Sequence, residues 1–170
     1  MKSRLKKIVV CALFAAFICI AGFISVPLPM GYANCGDIVL LVGAYLLGPV
    51  YGAAAAGIGA AFTDLFMGFG AYIPGTFVIK ALMALACAGI SSALMRKKDN
   101  FIIGFAPGAV LAEIIMILGY YLYESLVLGY GFGTALASIP GNAVQALAGA
   151  IGAVILANPV KKLVNKTGIL

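Results

Sequence analysis

The feature that most constrains this chain is a series of long apolar runs separated by three short clusters of basic residues. Ten of the eleven Lys and Arg residues lie in these clusters, within residues 2–7, 96–98 and 161–166. In membrane proteins such residues accumulate in cytoplasmic segments and set the orientation. The pattern predicts that both termini and the central loop face the cytoplasm. Lys80 is the one basic residue that lies inside an apolar run.

The composition agrees with a membrane protein. Hydrophobic residues make up 64% of the 170 residues and charged residues 9%, whereas soluble domains carry roughly 25% charged residues. Such a chain has too little polar surface to face water on all sides. The basic clusters are expected to contact lipid head groups, and nucleic-acid binding is not expected.

The apolar runs predict an all-α integral membrane protein with six transmembrane helices and cytoplasmic N- and C-termini. A spanning helix needs about 20 apolar residues. The second run stops at Gly48-Pro49 and is short for an untilted span, so it is predicted to be a partial helix or to follow a loop that dips into the membrane. Asp37 is predicted to cap this helix, and water is expected to reach both Asp37 and Asp64. The predicted spans, in one membrane domain over residues 1–170, are 5–25, 37–48, 50–67, 75–95, 102–126 and 135–157.

Several chemistries are disfavoured by the residues that the chain lacks. It has no histidine, and its four cysteines form no CxxC pair, so neither a metal site nor a disulfide framework is predicted. There is no P-loop, HExxH motif or serine-nucleophile motif. The chain is therefore not expected to be an enzyme, to carry a cofactor or to hydrolyse ATP unaided.

Charged residues within the apolar runs are the first candidates for function, because a charge in the bilayer is costly unless it faces a cavity or a partner. Lys80 is expected about 9 Å below the outer start of its helix, given a rise of about 1.5 Å per residue. It either faces a pocket or extends its stem to the interface. Glu113, Tyr120 and Glu124 share one face of the fifth helix at helical spacing. Lys80 is a candidate partner for Glu113, and a purely structural salt bridge is the alternative.

Two further pairs have helical spacing. Asn142 and Gln145 are three residues apart on the sixth helix, where their amides suit either a polar ligand or hydrogen bonds between helices. Ala12 and Ala16 form a pair of small residues on the first helix, which permits close helix contact. By spacing alone, packing inside the chain is the favoured role of this alanine pair.

The arrangement of these motifs resembles the substrate-binding S components of energy-coupling factor (ECF) vitamin transporters, in the riboflavin-type branch. The resemblance covers nearly the whole chain. Besides the Ala12 and Ala16 pair, it rests on the segments Gly36-Asp37-Ile38-Val39-Leu40, Leu47-Gly48-Pro49-Val50-Tyr51-Gly52 and Pro140-Gly141-Asn142-Ala143-Val144-Gln145.

The resemblance implies a function that the composition does not show. An S component captures a micronutrient from outside, and it docks on the membrane coupling protein EcfT, which two cytoplasmic ABC ATPases drive. It implies a bacterial cell membrane as the location and makes Ala12 and Ala16 contacts to EcfT. Carried over by position, the expected ligand site comprises Tyr32, Asn34, Lys80, Glu113, Tyr120, Glu124, Asn142 and Gln145, with Tyr72 as part of a lid.

These residues favour a class of ligand and leave its identity open. Tyrosines suit stacking on an aromatic ring, and amides suit ring nitrogens or hydroxyls, which favours a pyridoxine-, hydroxymethylpyrimidine- or flavin-type compound. One alternative is a self-sufficient carrier or channel that uses Glu113 and Lys80 as an ion relay. Another is a structural membrane subunit that binds no ligand.

Overall fold

The computed structural model describes residues 2–28, 32–97 and 100–168, with side chains from Arg4 onward. In this part of the chain, five helical segments are long and apolar enough to cross a membrane. Lys98, the last residue of the central basic cluster, lies outside the described ranges. The α-helices are α1 Lys2–Gly22, α2 Gly36–Met67, α3 Ile73–Met95, α4 Phe101–Leu122, α5 Gly131–Ala135 and α6 Ile139–Thr167.

The helix α2 consists of two arms that fold back on each other at Gly48. Gly48 has φ 77° and ψ 180°, a left-handed φ that glycine adopts without a steric penalty. Pro49 then starts the second arm, where its missing N–H costs nothing. The reversal is tight, because a Cβ added at Gly52 would lie 2.8 Å from Cα of Ala44. The six predicted helices thus correspond to five continuous segments, because α2 alone supplies two of the six.

The three basic clusters lie at one end of the bundle. Nζ of Lys6 donates a hydrogen bond of 3.3 Å to the carbonyl oxygen of Gly168, which joins the two terminal regions. Nζ of Lys161 donates to the hydroxyl of Tyr45 at 2.7 Å. The ring of Tyr45 is 5.7 Å from that of Phe101, which starts α4 just after the central cluster. This common end is the cytoplasmic one by the orientation rule.

Several ends differ from the predicted spans. The helix α1 ends at Gly22, and a short antiparallel hairpin follows, with β1 Ser25–Pro27 paired to β2 Tyr32–Asn34. This hairpin was not predicted, since three residues are too few for alternation to stand out. At the other end of the chain, α6 continues to Thr167 through Pro159, where the sequence predicted an end at 157. A proline is tolerated in such a helix when neighbouring groups satisfy the freed carbonyl.

The outer end of α4 does not stop where its α-helix does. A π-helical turn, Tyr123–Val127, continues it, and α5 and a 3₁₀ turn, Leu136–Ser138, lead into α6. π-Turns are rare and occur often at functional sites. Here the turn buries Glu124 and Ser125, so an acidic residue points into the bundle at its outer end.

Small residues let the helices approach closely in the rest of the bundle. A Cβ at Gly59 would lie 2.5 Å from the carbonyl oxygen of Ala15, between α2 and α1. A Cβ at Gly108 would lie 2.7 Å from the carbonyl oxygen of Cys87, between α4 and α3. Such close contacts are a main source of helix association in lipid, where apolar side chains gain little from leaving the hydrocarbon.

Candidate ligand-binding site

A polar cavity lies at the end of the bundle opposite the basic clusters. It is enclosed by the end of α1, by β2, by both ends of α2, and by the outer parts of α3, α4 and α6. Its empty volume, including the part open to solvent, is about 570 Å³. Its lining residues are Ile18, Tyr32, Asn34, Gly36, Asp37, Ala60, Thr63, Asp64, Phe69, Tyr72, Thr76, Lys80, Tyr120, Glu124, Asn142 and Gln145.

The floor of the cavity is a buried ion pair. Nζ of Lys80 lies 2.5 Å from Oδ1 of Asp37, and both side chains are almost wholly buried. Nε2 of Gln145 donates to Oδ2 of the same carboxylate, and Oε1 of Gln145 accepts from the backbone N of Asn34 at 2.9 Å. Three transmembrane helices and the β-hairpin are therefore tied together at one charged centre. Lys80 faces the interior and does not extend to the interface.

This ion pair corrects three predictions. Lys80 pairs with Asp37 and not with Glu113, because the fold-back of α2 brings Asp37 next to α3. Asp37 is not an N-cap: Cys35 holds that position without a side-chain hydrogen bond, and the Asp37 carboxylate turns toward Lys80. Water was expected to reach Asp37 and Asp64, but both side chains are buried, with exposed fractions of 1% and 4%.

Glu113 lies outside the cavity lining, contrary to its expected place in the site. It is buried, and neither carboxylate oxygen has a hydrogen-bond partner among the described residues. A Cβ added at Gly149 would touch both Oε1 of Glu113 and Cβ of Asp37. Glu113 thus sits behind the ion pair, and only a glycine at position 149 leaves room for it. The two higher members of its predicted stripe, Tyr120 and Glu124, do line the cavity.

Hydrogen bonds between side chains close the upper part of the cavity. The hydroxyl of Tyr32 donates to Oδ1 of Asp64 at 2.6 Å, and that of Tyr72 donates to Oε1 of Glu124 at 3.3 Å. The hydroxyls of Thr76 and Tyr120 lie 3.0 Å apart. Burial and the hydrogen bond to Asp64 raise the pKa of Tyr32, so its hydroxyl stays a donor.

Aromatic rings form one side of the entrance. The ring centroids of Tyr32 and Phe69 are 4.8 Å apart, those of Phe69 and Tyr72 6.2 Å, and those of Tyr72 and Tyr120 6.5 Å. The hydroxyl of Tyr123 donates to the carbonyl oxygen of Ala71 at 2.7 Å. These contacts join the outer ends of α2, α3 and α4.

The structure brings together eight of the nine side chains expected at the ligand site: all except Glu113 line the cavity. Sequence reasoning missed several others, including Asp64, Thr76 and Phe69. Asp64 had a signal, since it is the one carboxylate in a run of Ala and Gly. Phe69 had none, because its place depends on how α2 meets α3. No three metal-binding side chains converge in the described ranges.

The alanine pair of α1 lies on the outside of the bundle. Ala12 and Ala16 are exposed, as are their neighbours Leu13 and Phe17. Ala15 instead faces inward against Gly59. Packing within the chain, the role favoured by spacing alone, is therefore wrong for Ala12 and Ala16.

Fold and cavity together define a class: a small helical membrane protein with a buried polar site at one end and a smooth apolar exterior. Within that class, the chain belongs to the family of the ECF-type riboflavin transporter S component, whose family model matches residues 2–162. This is a family of transport components and not of enzymes. S components of ECF transporters work with EcfT and ATPase modules.

Individual relatives agree with this membership. An uncharacterised protein of Pyrococcus woesei is 33% identical over 128 residues, 75% of this chain and 81% of the relative. The thiamine precursor transporter HmpT of Lactococcus lactis subsp. cremoris is 27% identical, over 98% of this chain and 92% of HmpT. A solved structure of the S component of a bacterial ECF transporter superposes with a TM-score of 0.70 at 18% identity, covering 95% and 98% of the two chains. At that identity the superposition shows a shared fold.

Proposed function

We propose that this protein is the micronutrient-capture subunit of an ECF-type importer in the cell membrane of a bacterium. Its ligand is a small heteroaromatic vitamin or vitamin precursor, of the pyridoxine, hydroxymethylpyrimidine or flavin type, held in the outer cavity. The name of HmpT, a thiamine precursor transporter, supports the precursor class. The ATP-hydrolysing and coupling functions belong to separate subunits.

The observation that carries the proposal is the convergence of polar groups from five separate segments on one cavity. Lys80 and Gln145 come from α3 and α6, Asp37 from α2, Asn34 from the hairpin, and Glu124 from the π-turn. Polar side chains in lipid are costly and are retained where they serve a site. A purely structural subunit has no need to line a cavity with so many of them.

In this proposal five of the expected site residues have distinct parts. Asn142 and Gln145 offer amide donors and acceptors to ring substituents. Tyr120 and Tyr72 supply flat apolar faces for a ring, and Tyr72 with Phe69 covers the entrance. Lys80 and Asp37 form the floor and hold Gln145 in place.

The exposed face of α1, which points away from the bundle, is proposed to dock on EcfT. Ala12 and Ala16 are exposed and offer small side chains that let a partner helix approach closely. The bulky exposed neighbours Leu13 and Phe17 flank these two small side chains. The site for the ligand and the surface for the partner then lie on different parts of the chain, so that variants can separate binding from transport.

The decisive experiment is to identify, by mass spectrometry, the small molecule that stays bound when the full chain is purified gently in detergent. The expected result is one heteroaromatic compound at close to one equivalent, which is lost from a Gln145→Ala variant. Recovery of no compound, together with no heat-stability gain from pyridoxine, hydroxymethylpyrimidine or riboflavin, contradicts the proposal and favours a structural subunit.

A second experiment separates capture from self-sufficient transport. The chain is reconstituted in liposomes alone and together with EcfT and the two ATPases, and uptake of the identified compound is measured. The expected uptake requires the partners and ATP. Strong gradient-driven uptake by the chain alone would favour the carrier with a Glu113 and Lys80 relay, although Lys80 is already paired with Asp37.

A further inference from the structure

We infer that the cavity selects a positively charged, donor-rich aromatic ligand and rejects anionic ones, with Asp64 and Glu124 as the residues that set this preference. This inference rests on the proposed function, because it names the charge class of the compound bound at the same site. It follows from the charges, the unpaired acceptors and the aromatic rings of the cavity.

The charges that line the cavity do not balance. Its described lining holds three carboxylates, Asp37, Asp64 and Glu124, and one ammonium group, Lys80. The ion pair joins Lys80 to Asp37, so the two remaining carboxylates have no basic residue beside them in the lining. Low-dielectric surroundings strengthen the attraction of such groups for a cation.

Each of these two carboxylates has one oxygen without a partner. Oδ1 of Asp64 accepts from Tyr32, and Oε1 of Glu124 accepts from Tyr72. Oδ2 of Asp64 and Oε2 of Glu124 are buried without a hydrogen bond to any described residue. A buried acceptor without a donor is costly, and the cost is removed when a ligand supplies the donor. The cavity is therefore short of at least two donors.

The rings around the carboxylates suit a cation as well. Tyr32, Phe69, Tyr72 and Tyr120 form a continuous aromatic series at the entrance. The face of Tyr120 already has a cation near it, with Nζ of Lys80 at 5.6 Å from the ring centroid. Aromatic faces next to carboxylates attract ammonium and cationic ring groups through their quadrupoles.

The same arrangement is unfavourable for a phosphate or carboxylate on the ligand. The single ammonium group is held by Asp37, and the first amide of α2, on Gly36, donates to Oδ1 of Asn34 at 2.8 Å. An anion would face Asp64 and Glu124 with no free basic side chain in the described lining. Like charges brought together in a desolvated site are strongly disfavoured.

The test uses compounds that share a ring and differ in charge. Binding to the purified full chain is measured at neutral pH for the aminomethyl, hydroxymethyl and carboxylate members of the pyridoxine-type and hydroxymethylpyrimidine-type series, and for riboflavin and its phosphate. The expected order is aminomethyl, then hydroxymethyl, then carboxylate, with roughly tenfold or more between the first and the last. Riboflavin phosphate is expected not to bind.

Three variants connect this preference to the two carboxylates. Asp64→Asn and Glu124→Gln keep the shape and remove the charge, and each is expected to reduce the preference for the aminomethyl over the hydroxymethyl member at least several-fold. Asp99→Asn, which removes an equal charge next to the central basic cluster in the sequence, is the matched control. Its preference is expected to stay unchanged.

The outcomes distinguish the two proposals. If a neutral or anionic member binds as tightly as the cationic one, or if both carboxylate variants keep the full preference, the charge inference is overturned while heteroaromatic capture stands. Tight binding of riboflavin without binding of any cationic member has the same consequence. If no compound of any series binds, the proposed function fails and the charge inference fails with it.

Discussion

The outer and cytoplasmic halves of this bundle are built from the same helices and bury opposite kinds of residue. In the outer half, α2, α3 and the π-helical turn after α4 bury Asp37, Lys80 and Glu124, respectively. In the cytoplasmic half, α3 and α4 bury residues such as Cys87, Phe105 and Ala109, which are fully enclosed. In the cytoplasmic half, helix backbones pack closely against one another. In the outer half, ionic and hydroxyl groups surround a cavity and are joined by hydrogen bonds across it.

Because the two halves bury different kinds of residue, stability and ligand binding can be altered separately. Substitutions in the cytoplasmic half are expected to change stability without changing the ligand site. Substitutions at the outer cavity should change ligand affinity, and those at the ion pair should change both. The exposed face of α1 is a third region, because it lines neither the outer cavity nor the packed cytoplasmic half. The predictions that follow set these regions against one another.

The largest effect is expected from Lys80→Met. Removing the ammonium group leaves Asp37 as a buried charge without its partner, a loss of about 3–5 kcal/mol for a broken buried pair. Unfolding of the detergent-solubilised protein by denaturant measures the stability, and ligand binding should be lost as well. The double variant Lys80→Met with Asp37→Asn removes both charges and should recover most of the stability but not the binding. Equal stability of the single and double variants would contradict the role of this pair.

A smaller loss, confined to stability, is expected from Gly108→Ala. The added Cβ meets the carbonyl oxygen of Cys87 and the hydroxyl of Ser91, so α3 and α4 must separate slightly, at a cost of about 1–3 kcal/mol. The matched control is Gly89→Ala on α3, where a Cβ meets nothing within 4 Å. The control should keep its melting temperature, and both variants should bind ligand like the unaltered chain. A clear loss of affinity in Gly108→Ala would show that the halves are coupled.

The amides of α6 should show the reverse pattern. Asn142→Ala is expected to weaken ligand binding by roughly 1–3 kcal/mol, because a polar group of the bound ligand loses its partner. Stability should change little, since the Asn142 side chain makes no hydrogen bond within the described residues. Gln145→Ala should weaken binding on the same scale and also lower stability, because Gln145 holds both Asp37 and Asn34. Unchanged affinity in both variants, measured by calorimetry, would refute this pocket assignment.

The smallest effect on stability and affinity is expected from Ala12→Trp. The side chain is exposed on α1, so the change should stay within about 0.5 kcal/mol in both quantities. ATP-dependent uptake in liposomes with the partner subunits should nevertheless be blocked, because the bulky ring keeps EcfT from approaching the proposed docking surface at Ala12 and Ala16. Ile155→Trp, on the exposed face of α6, is the control for added bulk. Normal uptake by a well-folded Ala12→Trp variant would refute the coupling role.

The sequence predicted much of the fold because lipid imposes simple rules. The apolar runs required helices, and the basic clusters required a common end for the termini and the central loop. The contacts of Lys6 with Gly168, of Lys161 with Tyr45 and of the Tyr45 ring with Phe101 confirm this common end. Gly48-Pro49 marked the break in α2. The sequence did not reveal that this break is a full reversal, because the direction of the second arm depends on the contact between Ala44 and Gly52.

The cavity was predictable in outline and not in its connections. Polar residues inside apolar runs identify groups such as Lys80, Asn142 and Gln145, since each is costly in lipid without a purpose. The hydrogen-bond and ion-pair partners of these groups were not predicted correctly. Asp37 appeared to be a helix cap and Glu113 the partner of Lys80, because spacing along one helix gives no information about the rotation of its neighbours.

The sequence alone predicted that the chain lies in a membrane, how it is oriented and which residues are polar within lipid, because hydrophobic transfer and charge bias act on each segment separately. Three features became evident only in the folded chain: Lys80 pairs with Asp37, Glu113 lies behind the cavity, and Asp64 and Glu124 each keep one oxygen without a partner among the described residues. Those outcomes depend on how helices distant in sequence meet, and contacts of that kind are fixed by packing.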